Sequence, residues 1–219
     1  MSAKLWAEIG LGIYETFYMT LASTLLGYVI GLPLGVILII TRRDGIRQNL
    51  ALNQALGVIV NIMRSIPFLI LMIAIIPFTR FVMGKSYGST ATIVPLTMAA
   101  FPFISRMVES SLAEVDGGVI EAAQAMGATP LQIIRKVYIP EATPSLISGA
   151  AIVATNILGY SAMAGSVGGG GLGAIAINYG YYRFNAEVMV VCIAIMVVLV
   201  QAMQLVGTRL SVQLDHRLR

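Results

Sequence analysis

The sequence predicts an all-α integral membrane protein with five transmembrane helices and a two-helix hairpin held outside the bilayer. Three observations carry that expectation. Of the 219 residues, 58% are hydrophobic and only 11% are charged, which lies outside the range of soluble domains. Five apolar stretches follow one another, and most of the arginines and lysines fall in the connections between them. Between the third and fourth stretches lies a polar segment with strong helix signals. Its helices are far shorter than the roughly 20 apolar residues a spanning helix needs.

The elements follow in order. Residues 1–15 place Leu5, Trp6, Ile9 and Ile13 at helical spacing, with Lys4 and Glu8 elsewhere, and read as a short interfacial helix on the external side. The stretch lacks the basic start, apolar core and small-residue cleavage site of a removed signal peptide. Tyr14, Phe17 and Tyr18 mark the membrane boundary. A single membrane domain over residues 16–208 opens with span one, Thr16 to Ile40. There Gly27, Gly31 and Gly35 recur every four residues, either as a face for close helix packing or as ordinary membrane-helix glycine. A basic loop, Thr41 to Asn49, precedes a second apolar segment from Leu50 to Pro77 that is interrupted by Asn53, Gln54, Asn61 and Arg64. Thr79 to Ser89 reads as a loop, and span three runs from Thr90 to Ser110, where Pro95 and Pro102 are expected to bend it. Span four, Thr143 to Ala164, opens on Thr143-Pro144 as an N-cap and first-turn proline. The glycine-rich run Gly165 to Gly173 follows, then span five from Glu187 to Thr208 and a tail over 209–219.

The hairpin occupies residues 113–142. Good helix formers run from Val119 to Met126, and Gly127 supplies the residue most easily placed in the left-handed conformation that ends a helix. Thr129, Pro130 and Gln132 then read as an N-cap, a first-turn proline and the far half of a capping box. Val119, Ile120, Ala123 and Met126, then Ile133, Ile134 and Val137, recur at helical spacing and are expected to pack on the spans. Glu121, Gln124, Ala122 and Ala125 remain for a partner; the alternative is a connector that packs only on its own subunit.

With the hairpin in the cytoplasm, Arg42, Arg43, Arg47, Arg135, Lys136, Arg209, Arg217 and Arg219 are inside and Lys4, Arg80, Lys85 and Arg183 outside. Eight against four obeys the positive-inside rule, with the N-terminus external and the C-terminus cytoplasmic. The net charge of +4 reflects this distribution and does not point to nucleic acid. The chain has one cysteine, Cys192, and one histidine, His216, so a disulfide framework, a metal site or a Ser/His/Asp constellation is not expected. No Gly-x-x-x-x-Gly-Lys-Ser/Thr loop is present to hold ATP. No internal repeat of the kind that builds secondary transporters is seen.

Three groups of residues could bear on function. Arg64 lies about fourteen residues, ~20 Å, into its segment. A charge at that depth must face protein or water. It either satisfies backbone carbonyls freed by Pro67 or meets a cargo carboxylate. Arg106 and Glu109, three residues apart, form an expected structural ion pair. In the run from Gly159 to Gly173, small side chains would let two subunits approach, and Tyr160, Ser161 and Met163 form an expected constriction. Ordinary packing is the alternative for Met163.

The order Glu121-Ala122-Ala123, three residues, Gly127, nine residues, Val137, one residue, Ile139-Pro140 resembles the cytoplasmic "EAA" loop of binding-protein-dependent ABC importer permeases, whose usual Leu-Pro ending is Ile139-Pro140 here. Glu15-Thr16, Val60 to Phe68, Ile76 to Arg80, Val94 to Thr97 and Gly159 to Gly165 are similar to the methionine importers of that family. The resemblance implies a type I importer permease for methionine, in its L and D forms, that works by alternating access in a bacterial inner membrane. It further implies a homodimer and two copies of an ATPase that bind ATP and magnesium, so that this chain is no enzyme and holds no cofactor. The ATPases would dock on Glu121, Ala122, Ala123, Gln124, Gly127 and Pro140, and an extracytoplasmic binding lipoprotein would deliver the cargo. The alternatives are a permease for another polar amino acid or small solute, and a passive channel or scaffold. The twelve methionines of the chain say nothing about a methionine cargo.

Overall fold

The computed structural model describes residues 3–214, and every regular element among them is helical. The expected tail residues His216, Arg217 and Arg219 lie outside the described residues. In order the elements are α1 (Ala3–Thr41), α2 (Leu50–Ser65), α3 (Phe68–Ala74), α4 (Ile76–Met83), α5 (Ser89–Ala113), α6 (Gly117–Ala125) and α7 (Pro130–Ile133). A π-helical turn (Ile134–Tyr138), α8 (Ile139–Ala164), a 3₁₀ turn (Gly165–Val167), α9 (Gly171–Ile175), a second π-helical turn (Ala176–Tyr181) and α10 (Ala186–Leu214) complete the chain.

Among the described residues, four helical stretches are long and apolar enough to cross a membrane, or five if the broken pair α2 and α3 counts as one span. Pro67 causes the break. It has no N–H to donate and it drives Ile66 out of the helical region. Pro67 itself is extended, with φ −57° and ψ 134°, and α3 starts directly after it.

Four boundaries differ from the sequence expectation. The separate helix over residues 1–15 is instead the start of one 39-residue helix, α1, because no breaker separates it from span one. The loop from Thr79 begins only at Gly84, whose φ of +72° ends α4. Thr143 does not cap a new helix: its hydroxyl donates to the Ile139 carbonyl at 2.8 Å within α8, which runs on from α7 through the π-helical turn. The wider i→i+5 bonding falls just before Pro140, whose ring would otherwise press on the carbonyl four residues back. The tail beyond residue 208 stays helical to Leu214.

The chain forms two compact units. The first joins the start of α1 through Gly27 with Ile66–Ala100 and Val153–Gln204. Its apolar cluster is Ile9, Leu172, Ala176, Val188 and Cys192, all buried. The glycine run is a tied loop inside this unit. Glu15 Oε2 accepts from the Gly171 amide at 2.7 Å, Thr16 Oγ1 accepts from the Leu172 amide at 2.9 Å, and the Gly88 amide donates to the Gly168 carbonyl at 2.8 Å. A carboxylate at the start of α9 suits the positive end of the peptide dipoles. In the same unit the Tyr179 phenol hydrogen-bonds Glu8, which raises its pKa above the usual tyrosine value.

The second unit joins Tyr28–Ser65, Phe101–Ile152 and the chain from Leu205. Gly31 and Gly35 serve packing inside this unit: a Cβ on Gly31 would lie 2.7 Å from Ile104 Cγ2, and one on Gly35 would lie 2.6 Å from the Ser105 carbonyl oxygen. Polar side chains also join its helices in pairs. Asn53 Nδ2 donates to the Leu38 carbonyl at 2.7 Å, Ser145 Oγ to Ser111 Oγ at 3.0 Å, and Ser211 Oγ to the Pro144 carbonyl at 2.7 Å. Without competing water, such bonds are effective membrane-helix ties.

Candidate functional site

The hairpin is built from the residue types its sequence advertises. Asp116 caps α6, accepting from the Gly118 amide at 2.8 Å, so the helix starts two residues before Val119. The glycine pair obscures that start in the sequence. At the other end Gly127 adopts φ +78°. Its amide donates to the Gln124 carbonyl at 2.9 Å and the Ala128 amide donates to the Ala123 carbonyl at 3.1 Å. Those two bonds make a Schellman ending. Thr129 and Gln132 form the expected reciprocal capping box: the Thr129 amide donates to Gln132 Oε1 at 2.7 Å and the Gln132 amide to Thr129 Oγ1 at 3.4 Å. Both helices are therefore fixed at the turn by satisfied backbone groups, which makes the hairpin a stiff projection.

Its faces only partly follow the expected division. Glu121, Ala122, Gln124, Gly127 and Pro140 are exposed. Ala123, which helical spacing places against the spans and the family resemblance at the docking surface, is buried at 5% exposure, as its spacing with Ile120 requires. Met126 and Val119, expected to pack inward, are instead exposed, Met126 at 82%, and Leu131 joins them at 56%. An apolar tip of Met126 and Leu131 is thus available to a partner. Their position beyond the last inward turn was the signal that periodicity alone could not resolve. Beside α6 lies a cavity of about 530 Å³ lined by Arg42, Asp44, Glu121, Gln124 and Tyr138. Arg42 and Asp44 pair there at 2.7 Å.

A family model described as "Binding-protein-dependent transport system inner membrane component" matches residues 19–219. The chain belongs to this family. It is 52% identical over 93% of its length to the probable D-methionine transport system permease protein MetI of Vibrio cholerae, covering 91% of that protein. It is 46% identical over 99% of its length to the protein of the same description in Pasteurella multocida, covering 100% of it. A solved structure described as "Inward facing conformations of the MetNI methionine ABC transporter" superposes with a TM-score of 0.97 at 49% identity, over 99% of this chain and 100% of that one. An amino acid ABC transporter structure at 19% identity and TM-score 0.79 shares the fold.

Within this permease fold the expected constriction residues separate. Met163 is exposed at 54%, on the same face of α8 as Gly159 and Asn156, which are also exposed. Asn156, a carboxamide in an apolar span, was not singled out by motif or spacing. Tyr160 is half-buried, its ring stacked on Phe68 with centroids 4.7 Å apart. Ser161 is buried, and its hydroxyl donates to the Leu158 carbonyl at 2.7 Å. It therefore does not contribute to the exposed face, because it lies on the opposite side of the helix from Met163. The nearby glycines serve close approach inside the subunit. A Cβ on Gly165 would meet the Ala174 amide, and one on Gly173 would meet the Ala162 carbonyl.

Arg64 is exposed, and its guanidinium carbon lies 5.8 Å from the centroid of Phe103. Among the described residues it makes no bond to the carbonyls near Pro67, so the expected local role is replaced by contact with an aromatic face. Arg106 pairs with Glu109 at 2.6 Å as expected. It also donates through Nη2 to the Gly57 carbonyl and to Asn61 Oδ1, both at 3.1 Å.

Proposed function

We propose that this chain is the membrane permease subunit of an ATP-driven importer of methionine, in its L and D forms, in a bacterial inner membrane. The superposition over 99% of the chain with a methionine ABC transporter structure is the observation that most supports this reading. Two copies form the pathway, with the Met163, Gly159 and Asn156 face of α8 toward the second copy and Met163 as the movable seal. A flexible thioether can pack against its symmetry mate and withdraw. Two ATPase subunits, which hold ATP and magnesium, dock on the hairpins through Glu121, Ala122, Gln124 and the apolar tip. A stiff hairpin passes their closure on as a rigid-body shift. The chain itself hydrolyses nothing. Its N-terminus is external and its C-terminus cytoplasmic, and an extracytoplasmic binding lipoprotein delivers the cargo to the external side, where Arg64 meets a carboxylate further along the path.

The deciding experiment is uptake of radiolabelled L- and D-methionine into proteoliposomes that contain this chain, its ATPase and its binding protein. Uptake that requires ATP and is not competed by other polar amino acids is expected. Equal uptake of other amino acids would move the cargo assignment within the family, and flux without the ATPase would make the chain a passive channel. Met163→Ala should raise methionine leak in the absence of ATP; an unchanged leak would leave Met163 as packing.

A further inference from the structure

The hairpin is joined to α5 by only three residues, 114–116. That connection is short and anchored: the Glu114 and Val115 amides continue the turn onto the Ser111 and Leu112 carbonyls at 3.4 Å, and Val115 is buried. Displacement of α6 must therefore appear at the adjoining end of α5. Two turns back along α5 stands Arg106, whose guanidinium is shared between two helices. Nη1 holds Glu109 on its own helix at 2.6 Å, which orients the planar fork. Nη2 then reaches α2 at two acceptors, the Gly57 carbonyl and Asn61 Oδ1, both at 3.1 Å. Gly57 leaves room for this. A Cβ there would lie 3.2 Å from Nη2, with nothing else within 4 Å. One turn beyond Asn61 on α2 is Arg64, seated over Phe103, which is one turn before Arg106 on α5. The contacts pair rising α2 numbers with falling α5 numbers, so the two helices meet along an antiparallel seam.

We propose that Arg106 is a positioning residue: it clamps α2 to the helix that carries the coupling hairpin, so that hairpin movement is delivered to the Arg64 end of α2. This rests on the importer reading given above. Bonds from a guanidinium are charge-assisted and directional, and two acceptors on one helix fix where Nη2 sits against α2. An ion pair serving only to neutralise Arg106 would not need Nη2 to face another helix or a glycine to admit it.

The test uses the full complex in proteoliposomes and reads methionine imported per ATP hydrolysed, alongside the yield of assembled complex. Asn61→Leu removes one α2 acceptor, and Gly57→Ala crowds the other; each leaves the pair with Glu109 intact. Both are expected to assemble and to hydrolyse ATP while importing about 2- to 30-fold less methionine per ATP, the range that loss of a coupling contact gives. Asn61→Asp keeps an acceptor for Nη2 and should retain the wild-type ratio. An unchanged ratio in both Asn61→Leu and Gly57→Ala would overturn the clamp. Failure of both to assemble, or a ratio in Asn61→Asp as low as in Asn61→Leu, would also overturn it, by making the contact one of fold stability alone. Absence of ATP-dependent uptake in the wild-type complex would instead refute the importer reading.

Discussion

The hairpin and the glycine loop both depend on glycine, but not alike: the hairpin turn needs it for conformation alone, whereas the loop needs it for conformation at Gly168, Gly170 and Gly171 and for space at Gly165 and Gly173. At the hairpin turn Gly127 has φ +78° and nothing within 4 Å of where a Cβ would sit. It is there for conformation. In the loop Gly165 and Gly173 have ordinary dihedrals, but a Cβ on either would strike backbone atoms of the same subunit. They are there for space. The partners differ in the same way. The hairpin satisfies its backbone through local caps from Asp116 and Thr129, whereas the loop is held by Glu15 and Thr16, more than 150 residues away in sequence. The hairpin can therefore project as a self-contained element, and the loop exists only once α1, α8 and α9 have come together.

This contrast predicts a graded series of effects. The largest belongs to Gly173→Ala, because the methyl group would lie 2.6 Å from the Ala162 Cα and no flexible side chain can yield. A loss of about 3 kcal/mol or more is expected, seen as a collapse in the yield of monodisperse permease and in its thermal midpoint. Wild-type stability in this variant would remove the steric account. Glu15→Ala comes next. It leaves the buried Gly171 amide without its carboxylate partner, at about 1–3 kcal/mol, and amide exchange should accelerate at Gly171 and Leu172 while the hairpin stays protected.

Gly127→Val should cost about 1–2 kcal/mol from the left-handed backbone alone. The permease should still insert, with weaker co-purification of the ATPase. Gly127→Asn tests the comparison most sharply, since asparagine tolerates positive φ and should restore coupling, whereas Gly173→Asn should be as damaging as Gly173→Ala. Met126→Ser should have the smallest effect on folding, within about 0.5 kcal/mol as for other exposed sites. Its consequence should appear as reduced retention of the ATPase on a permease affinity column, and full retention would exclude the apolar tip from docking.

Much of the hairpin was legible because its signals are local. Gly127, Thr129, Pro130 and Gln132 lie within six consecutive residues, and the structure uses each as its chemistry dictates. Faces were less legible. Ala123 and Met126 both fit the helical stripe, yet one is buried and the other exposed; Met126 is already the C-cap, past the last helical residue Ala125. Around Met163 the small residues suggested contact between subunits, but close approach within the subunit already consumes Gly165 and Gly173.

By itself, the sequence determined the membrane class, the apolar spans and the Gly127 and Thr129 signals of the hairpin turn, since hydropathy, helix propensity and backbone conformation are properties of short windows. Tertiary structure alone decided that Arg106 reaches Gly57 and Asn61 across 45 to 49 residues of chain, that Glu15 closes the glycine loop, and that Ser161 is buried beside an exposed Met163. These depend on which faces meet when helices distant in sequence pack. A helix carries the same periodicity whichever neighbour it finds, so that choice is made only by the fit of all the helices together.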